Sequence, residues 1–304
     1  MLLIAAAVAL TTPPSVAAEL PEPTRVSFPS VDTKADGTPI TIPALLFRPP
    51  DASPGGTPLV IALHGCGGMY STAPGRETAL SQRSVGWTER LLADGYAVLW
   101  PDSFTPRGAR EICTLKESGR AIRVANRRLD QLGALAFGAS LPGIDRKRIA
   151  LVGWSNGGST TLAAINRADP QVTSFLAAPD APPFFKAAVA FYPGCRPVLM
   201  AGAKWRTTIP TVIHIGAADD WTPAQPCEDL GVAAGLRDEP LTVTVYPDSY
   251  HGFDGPGSSL TVLKNVPGGV HPGQGVTVGP NPAARAEVVP AVRSFLREQL
   301  APSH

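Results

Sequence analysis

The segment around Ser155 has the residue types of a nucleophilic serine. Residues Gly153 to Gly157 fit the pattern G-x-S-x-G, directly after the apolar run 149–152 and directly before a helical pattern. In that context the pattern predicts a sharp strand-to-helix turn that holds the serine hydroxyl at the edge of a sheet. The flanking glycines leave room for this turn, and the helix N-terminus favours developing negative charge. We therefore predict a nucleophile at Ser155 rather than a plain glycine-rich turn.

A serine hydroxyl needs a base, because it is a poor nucleophile until its proton is removed. Of the five histidines, His251 follows the predicted strand 241–246 after a short turn, at the edge of the sheet where sites of parallel sheets lie. His271, in a Gly- and Pro-rich segment, is the rival. The other three precede Ser155, interrupt an apolar run or end the chain: His64, His214 and His304. We predict His251 as the base.

The base in turn needs a carboxylate, which fixes its tautomer and stabilises its protonated form. Asp219 and Asp220 both follow the apolar run 211–215. We predict that Asp219 fills this role and that Asp220 caps the next helix. Asp248 is a competitor but suits a turn. The resulting order of serine, aspartate and histidine is the one that accompanies a G-x-S-x-G serine.

Backbone amides are predicted to bind the oxyanion that forms when the serine attacks a carbonyl. One is the amide of Asn156, the residue after the serine, and the other is the amide of Cys66 in the glycine-rich turn 64–68. Cys66 could itself be a nucleophile, but we favour Ser155 because it occupies the predicted elbow.

The remaining elements predict an α/β fold with a mostly parallel central sheet and helices on both faces, because strand patterns alternate with helical ones. Predicted strands lie at 25–28, 41–47, 59–63, 96–100, 148–152, 187–192, 211–215 and 241–246. Predicted helices lie at 78–93, 120–136, 156–168, 223–234 and 282–300. With no repeat or convincing linker, residues 19–304 form one predicted domain.

Three further expectations concern charge and loops. The second helix is expected to point its four arginines to solvent: Arg120, Arg123, Arg127 and Arg128. Arg107 is expected to pair with Asp102 rather than with a substrate. The Gly- and Pro-rich stretch 252–281 is expected to be a long loop.

Composition restricts the partners. A formal net charge of +1 over 304 residues argues against nucleic acid, whose binders carry a basic excess. Residues 1–18 resemble a signal peptide with cleavage after Ala18, although no Lys or Arg precedes the apolar run. That run is too short to span a bilayer, so the chain is expected to be secreted or periplasmic and without a membrane span.

Four cysteines fit an oxidising compartment, because an even number can pair completely. We favour pairs Cys66–Cys113 and Cys195–Cys227, since each would join loops at the same end of the sheet. The other pairings and four free thiols remain open. No close cysteine pair is present, which disfavours zinc, and no metal site is predicted.

Taken together, the sequence resembles the dienelactone hydrolase family of the α/β-hydrolase superfamily. The matching motifs extend over most of the chain: HGCGG at 64–68, GWSNGG at 153–158, GAADDW at 216–221 and YHGF at 250–253. The resemblance implies a Ser155–Asp219–His251 triad and hydrolysis of esters without a cofactor. Dienelactone hydrolase proper has a cysteine nucleophile and an acidic residue after the first central strand, where this chain has Ser155 and Gly65. The resemblance therefore favours a general carboxylesterase.

The expected substrate is a small-molecule ester. Four aromatic residues in or beside the motif loops are candidate pocket residues, although ordinary packing would also explain them: Tyr70, Trp154, Trp221 and Phe253. A peptidase-like hydrolase, an acyltransferase on the same triad and a non-catalytic secreted binding protein are the alternatives. No long apolar insertion indicates a lid, which favours water as the acyl acceptor.

Overall fold

A mixed, mostly parallel β-sheet is the centre of the molecule. The computed structural model describes residues 20–51 and 55–302, so the predicted signal peptide lies outside the described residues. The strands of the main sheet are β1 (Thr24–Thr33), β2 (Pro39–Phe47), β3 (Thr57–Leu63), β4 (Ala97–Pro101), β5 (Ile144–Trp154), β6 (Ala187–Phe191), β7 (Thr211–Gly216) and β8 (Leu241–Tyr246). They lie in the order β1-β2-β4-β3-β5-β6-β7-β8.

The direction of each strand follows from its composition and its connection. β3, β4 and β6 are buried at every residue, as apolar strands covered on both faces are. β3 and β6 pair in parallel with both neighbours, whereas β4 pairs in parallel with β3 and antiparallel with β2. β1 and β2 form an antiparallel edge hairpin through a turn at Asp36–Gly37, where Gly37 has a φ of 81°. The predicted fold class is confirmed, and both β1 and β5 are longer than the sequence suggested.

Helices cover both faces of the sheet. In the described residues they are α1 (Gln82–Ala93), α2 (Val124–Ser140), α3 (Asn156–Ala164), α4 (Pro170–Leu176), α5 (Arg196–Ala201), α6 (Gln225–Gly235) and α7 (Pro282–Gln299). The helices α4 and α5 were not predicted. The start of α4 has a readable signal, because Asp169 accepts hydrogen bonds from the amides of Gln171 and Val172 and Pro170 is the first helical residue.

Two expectations about arginines are wrong. Arg127 is completely buried rather than exposed, because α2 turns this residue toward the carboxyl ends of the central strands. Arg107 pairs with Asp130 at 2.9 Å and with Asp32 at 2.8 Å. Its expected partner Asp102 instead accepts hydrogen bonds from backbone amides of the turn that follows β4. A short aspartate side chain at a strand end can accept hydrogen bonds from the backbone amides of its own turn, so it does not need an ion pair with a distant arginine.

The stretch 252–281 is more ordered than its composition indicates. It contains a short antiparallel hairpin of β9 (Thr261–Leu263) and β10 (Val276–Val278). The carboxylate of Asp220 accepts hydrogen bonds from the amide of Thr277, at 2.8 Å and 3.1 Å for its two oxygens. Asp220 therefore anchors this hairpin rather than capping α6, which corrects the prediction for that residue.

Both favoured disulfides are present. Cys66 is bonded to Cys113, and Cys195 is bonded to Cys227. This excludes Cys66 as a thiol nucleophile in the oxidised protein, since only a free thiolate attacks. Within residues 20–51 and 55–302, no helix is long and apolar enough to cross a membrane.

His214 makes the stability of the fold depend on pH. Its ring is buried in β7 beside the Tyr246 hydroxyl at 3.0 Å, and burial lowers its pKa to about 4. Between pH 6.5 and pH 4 the unfolded chain binds a proton that the folded chain rejects, so this residue destabilises the fold by about 3 kcal/mol as pH falls. We expect His214→Asn to reduce the loss of unfolding free energy over this interval, measured by urea denaturation. An unchanged pH dependence in the variant, with wild-type stability at pH 7, would contradict this assignment.

Candidate active site

Ser155 lies at a cramped junction between β5 and α3. Its backbone has a φ of 56° and a ψ of −118°, a conformation that side-chain-bearing residues rarely adopt. A Cβ on Gly157 would lie 2.1 Å from the Leu63 carbonyl oxygen, and a Cβ on Gly153 would lie 2.3 Å from the Gly157 carbonyl oxygen. Only glycine allows this contact between α3 and the ends of the strands, so packing holds Ser155 in its strained conformation.

The serine, a histidine and an aspartate form a continuous chain of hydrogen bonds. The Ser155 Oγ lies 2.8 Å from His251 Nε2, and His251 Nδ1 lies 2.9 Å from Asp219 Oδ2. The three residues come from the carboxyl ends of β5, β8 and β7, respectively. His251 and Asp219 are almost fully buried, whereas Ser155 is partly exposed. This hydrogen-bonded arrangement allows a proton to move from the serine hydroxyl to the imidazole.

Thr222 completes the surroundings of Asp219, and sequence analysis missed it. The Asp219 carboxylate accepts hydrogen bonds from the amides of Trp221 and Thr222 and from the Thr222 hydroxyl, which also lies 3.1 Å from His251 Nδ1. These bonds fix the orientation of the carboxylate toward the imidazole. The spacing Asp-x-x-Thr after a strand is the signal that was available, because it is typical of an aspartate that accepts bonds from its own turn.

The rival acids and bases lie elsewhere. Asp220 holds the β9–β10 hairpin, and Asp248 occupies a turn with a φ of 52°. His271 is exposed, in a turn closed by a hydrogen bond from Gln274 to its carbonyl. Neither His271 nor Asp248 has a side-chain hydrogen bond to Ser155 or His251 among the described residues.

Arg127 connects the two backbone segments beside the serine. Its guanidinium donates to Asn156 Oδ1 at 2.6 Å and to the His64 carbonyl at 2.8 Å. Within the described part of the chain no carboxylate lies within ion-pair distance of it, and burial lowers its pKa to about 10. The group therefore stays protonated at neutral pH. It is a buried positive charge whose two bonds join the turn of Cys66 to the start of α3.

Asp254 makes a second buried connection. Its carboxylate accepts hydrogen bonds from the indoles of Trp87 and Trp154, at 2.8 Å and 2.9 Å, and from the Tyr192 hydroxyl at 2.7 Å. Trp154 precedes Ser155, and the Tyr192 ring lies 4.5 Å from that of His251. The aspartate thus joins the loop that carries the imidazole to the strand that carries the serine.

A cavity of about 820 Å³ opens above Ser155. Its lining includes Cys66 and Asn156, the two predicted amide donors, and Trp221. The structure does not bring the other predicted pocket residues to this cavity. Trp154 and Phe253 are buried in the core, where Trp154 stacks between Trp100 and Phe191, while Tyr70 pairs with Leu80 outside it. No cluster able to bind a metal ion occurs among the residues that the structure describes.

The sheet order, the strained serine turn and the hydrogen-bonded residues at the strand ends define an α/β-hydrolase fold. The chain belongs to the dienelactone hydrolase family, whose model matches residues 42–300. No curated protein matches the chain significantly.

Solved structures with the same fold include three that are named for hydrolytic activity. A putative dienelactone hydrolase from Klebsiella pneumoniae is 17% identical, with a TM-score of 0.60 over 90% of this chain and 99% of that one. Esterase 2 of Thermogutta terrifontis, phosphoramylated by tabun, is 17% identical, with a TM-score of 0.59 and coverages of 94% and 98%. A dienelactone hydrolase-like promiscuous phosphotriesterase from metagenomic libraries is 16% identical, with a TM-score of 0.60 and coverages of 92% and 99%. At these identities the likeness is one of fold.

The position of Arg127 predicts an effect on turnover. Arg127→Met removes both bonds, and any hydrolysis at Ser155, followed with a p-nitrophenyl ester, is expected to fall in kcat by about 10²-fold, as after loss of one donor to an oxyanion. KM should change little, because Arg127 does not line the cavity.

Arg127→Lys keeps the positive charge but lacks the planar guanidinium that donates to both acceptors, so it should recover only part of the lost kcat. Thermal unfolding of both variants separates this positioning role from loss of the fold. A folded Arg127→Met protein with wild-type kcat would contradict it.

Proposed function

We propose that the protein is a serine esterase that hydrolyses carboxylic esters through an acyl-enzyme on Ser155. His251 is the base and Asp219 its orienting acid. The observation that carries the proposal is the unbroken relay from Ser155 Oγ to His251 and Asp219, 2.8 Å and 2.9 Å long, beneath an open cavity. The proposal assigns no cofactor to the reaction.

The proposed reaction has two halves. Ser155 Oγ attacks the ester carbonyl carbon as its proton moves to His251 Nε2, and the oxyanion is bound by the amides of Asn156 and Cys66. When the carbon–oxygen bond breaks, the imidazolium gives its proton to the departing alcohol. Water then attacks the acyl-enzyme with His251 again as base, which releases the acid and restores the serine hydroxyl. Asp219 stabilises the imidazolium in both halves.

Three features support ester hydrolysis, with water as the acyl acceptor, over the alternative functions. The family is named for a hydrolase, and one neighbour of the same fold is an esterase. The cavity is open to solvent, so water has access to an acyl-enzyme, whereas an acyltransferase must exclude it. The strain at Ser155 argues against a binding protein, because such strain persists where it serves a mechanism.

Labelling and turnover test this proposal together. The mature chain is expected to hydrolyse p-nitrophenyl acetate and to react with a fluorophosphonate probe at one residue, which peptide mass spectrometry should locate at Ser155. Ser155→Ala should abolish labelling and reduce kcat by about 10⁶-fold. A folded wild-type protein that neither hydrolyses the ester nor reacts with the probe would refute the proposed esterase activity. The remaining hypothesis would then be a non-catalytic binding protein.

The adjacent aspartates provide a matched control for the acid. Asp219→Asn is expected to lower kcat by about 10⁴-fold, because the amide selects the wrong imidazole tautomer. Asp220→Asn makes the same chemical change one residue away and should keep kcat within about tenfold of wild type. Equal losses in the two variants would reject Asp219 as the acid.

We also propose that the chain is exported, with cleavage after Ala18. The apolar run followed by small residues supports this, as do two disulfides, which persist in oxidising compartments. N-terminal sequencing of the protein from the periplasm or the medium should find Glu19 first. A protein that stays in the cytoplasm with Met1 in place would refute export.

A further inference from the structure

The cavity continues well beyond the reacting serine, along one face of α3. Ser155, Ser159 and Ala163 are spaced by four residues, so they lie on the same side of the helix, and all three line the cavity. Eight residues of helix correspond to about 12 Å. The cavity is therefore a groove that begins at Ser155 Oγ and follows α3 to its end.

The two walls of this groove present a row of apolar side chains, and the cavity as a whole is also lined by charged residues: Lys116, Glu117, Arg120 and Arg196. The start of α2 and the helix α5 supply the apolar side chains, with Val124, Ala125, Pro197, Val198 and Ala201. The hydroxyl of Ser159 accepts a hydrogen bond from the Gly194 amide at 2.8 Å, so its polar atom is already engaged. The far end is closed by an ion pair between Arg128 and Asp169 at 3.1 Å. The groove thus offers apolar contact over a limited length.

The direction of proton transfer decides which part of an ester enters the groove. The departing alcohol takes its proton from His251 Nε2, so it must lie on the side of the imidazole. That side of the cavity is formed by Trp221, whose ring lies 4.8 Å from that of His251, and by Pro267 and Gly268 near the β9–β10 hairpin. The acyl group must lie on the opposite side, toward α3.

We propose that the α3 groove binds the acyl chain, and that the preferred substrates are esters of unbranched, medium-length aliphatic acids. The inference rests on the proposed esterase function. Ala163 determines specificity, because its methyl group leaves the groove open where a larger side chain would fill it. Burial of each further methylene in the groove increases kcat/KM by up to about fourfold, until the Arg128–Asp169 pair stops the chain.

A chain-length series tests the proposal. For p-nitrophenyl esters, we expect kcat/KM to rise by about tenfold or more from acetate to octanoate and to fall again for palmitate. Octyl acetate, which carries its long chain on the alcohol, should show no such gain over ethyl acetate. Acetate as the best acyl group, or a gain for octyl acetate alone, would overturn the assignment.

Two variants that block the groove locate the effect. Ala163→Phe, and independently Ala201→Phe on the α5 wall, should abolish the preference for octanoate, measured as the ratio of kcat/KM for p-nitrophenyl octanoate to that for the acetate. Ala283→Phe, the same change on the exposed start of α7, is the matched control and should keep the wild-type series. Equal losses for acetate and octanoate in both groove variants would overturn the proposal. Failure of the esterase itself is distinguishable, because no ester would then be hydrolysed and Ser155 would not label.

Discussion

The close contact between the first turn of α3 and the end of β3 is the constraint on which the site depends. Gly157 lies so near the carbonyl oxygens of Leu63 and His64 that no side chain fits there. This contact forces Ser155 into its strained turn. It also brings the glycine-rich turn of Cys66 alongside, since a Cβ on Gly65 would lie 3.4 Å from the Ser155 Cβ. One packing contact therefore sets the position of both the serine and the amides beside it.

Buried polar side chains hold the rest of the site to this contact. Arg127 joins the His64 carbonyl to Asn156, and Asp254 joins the loop of His251 to Trp154. Each is buried where an unpaired charge is costly, so each is stable only while its partners stay in place. Such groups specify one geometry, because an alternative arrangement would leave a charge without hydrogen bonds. The hydrogen-bonded chain of Ser155, His251 and Asp219 is therefore held in position by buried polar contacts, and it lies at the edge of a sheet with an apolar interior.

Local patterns were sufficient to predict the strands of the main sheet, their mostly parallel pairing and the elements that carry Ser155, Asp219 and His251, but not the β9–β10 hairpin. Each of these signals lies within a few residues: an apolar run, a glycine turn or a polar residue at a strand end. The failures concern contacts between distant segments. Burial of Arg127 depends on Asn156 and the His64 carbonyl, and the pairing of Arg107 depends on Asp32, none of which the sequence of α2 or its preceding loop discloses. Trp154 was misplaced because alternation along β5 cannot tell a ring that faces the cavity from one stacked in the core.

Two adjacent aspartates hold different parts of the site. The Asp219 carboxylate lies 2.9 Å from His251 Nδ1, while that of its neighbour Asp220 accepts a hydrogen bond from the Thr277 amide in the hairpin. The residues between β9 and β10 form the side of the cavity next to Trp221. The hairpin is joined to the site by the Asp220 carboxylate and by backbone hydrogen bonds, among them one from the Gly279 amide to the His251 carbonyl. Lengthening such a loop costs little, about 0.6 kcal/mol for each doubling. Insertions at the hairpin tip would therefore change the lining of the cavity beside Trp221 without lengthening the strands that end at Ser155, Asp219 and His251.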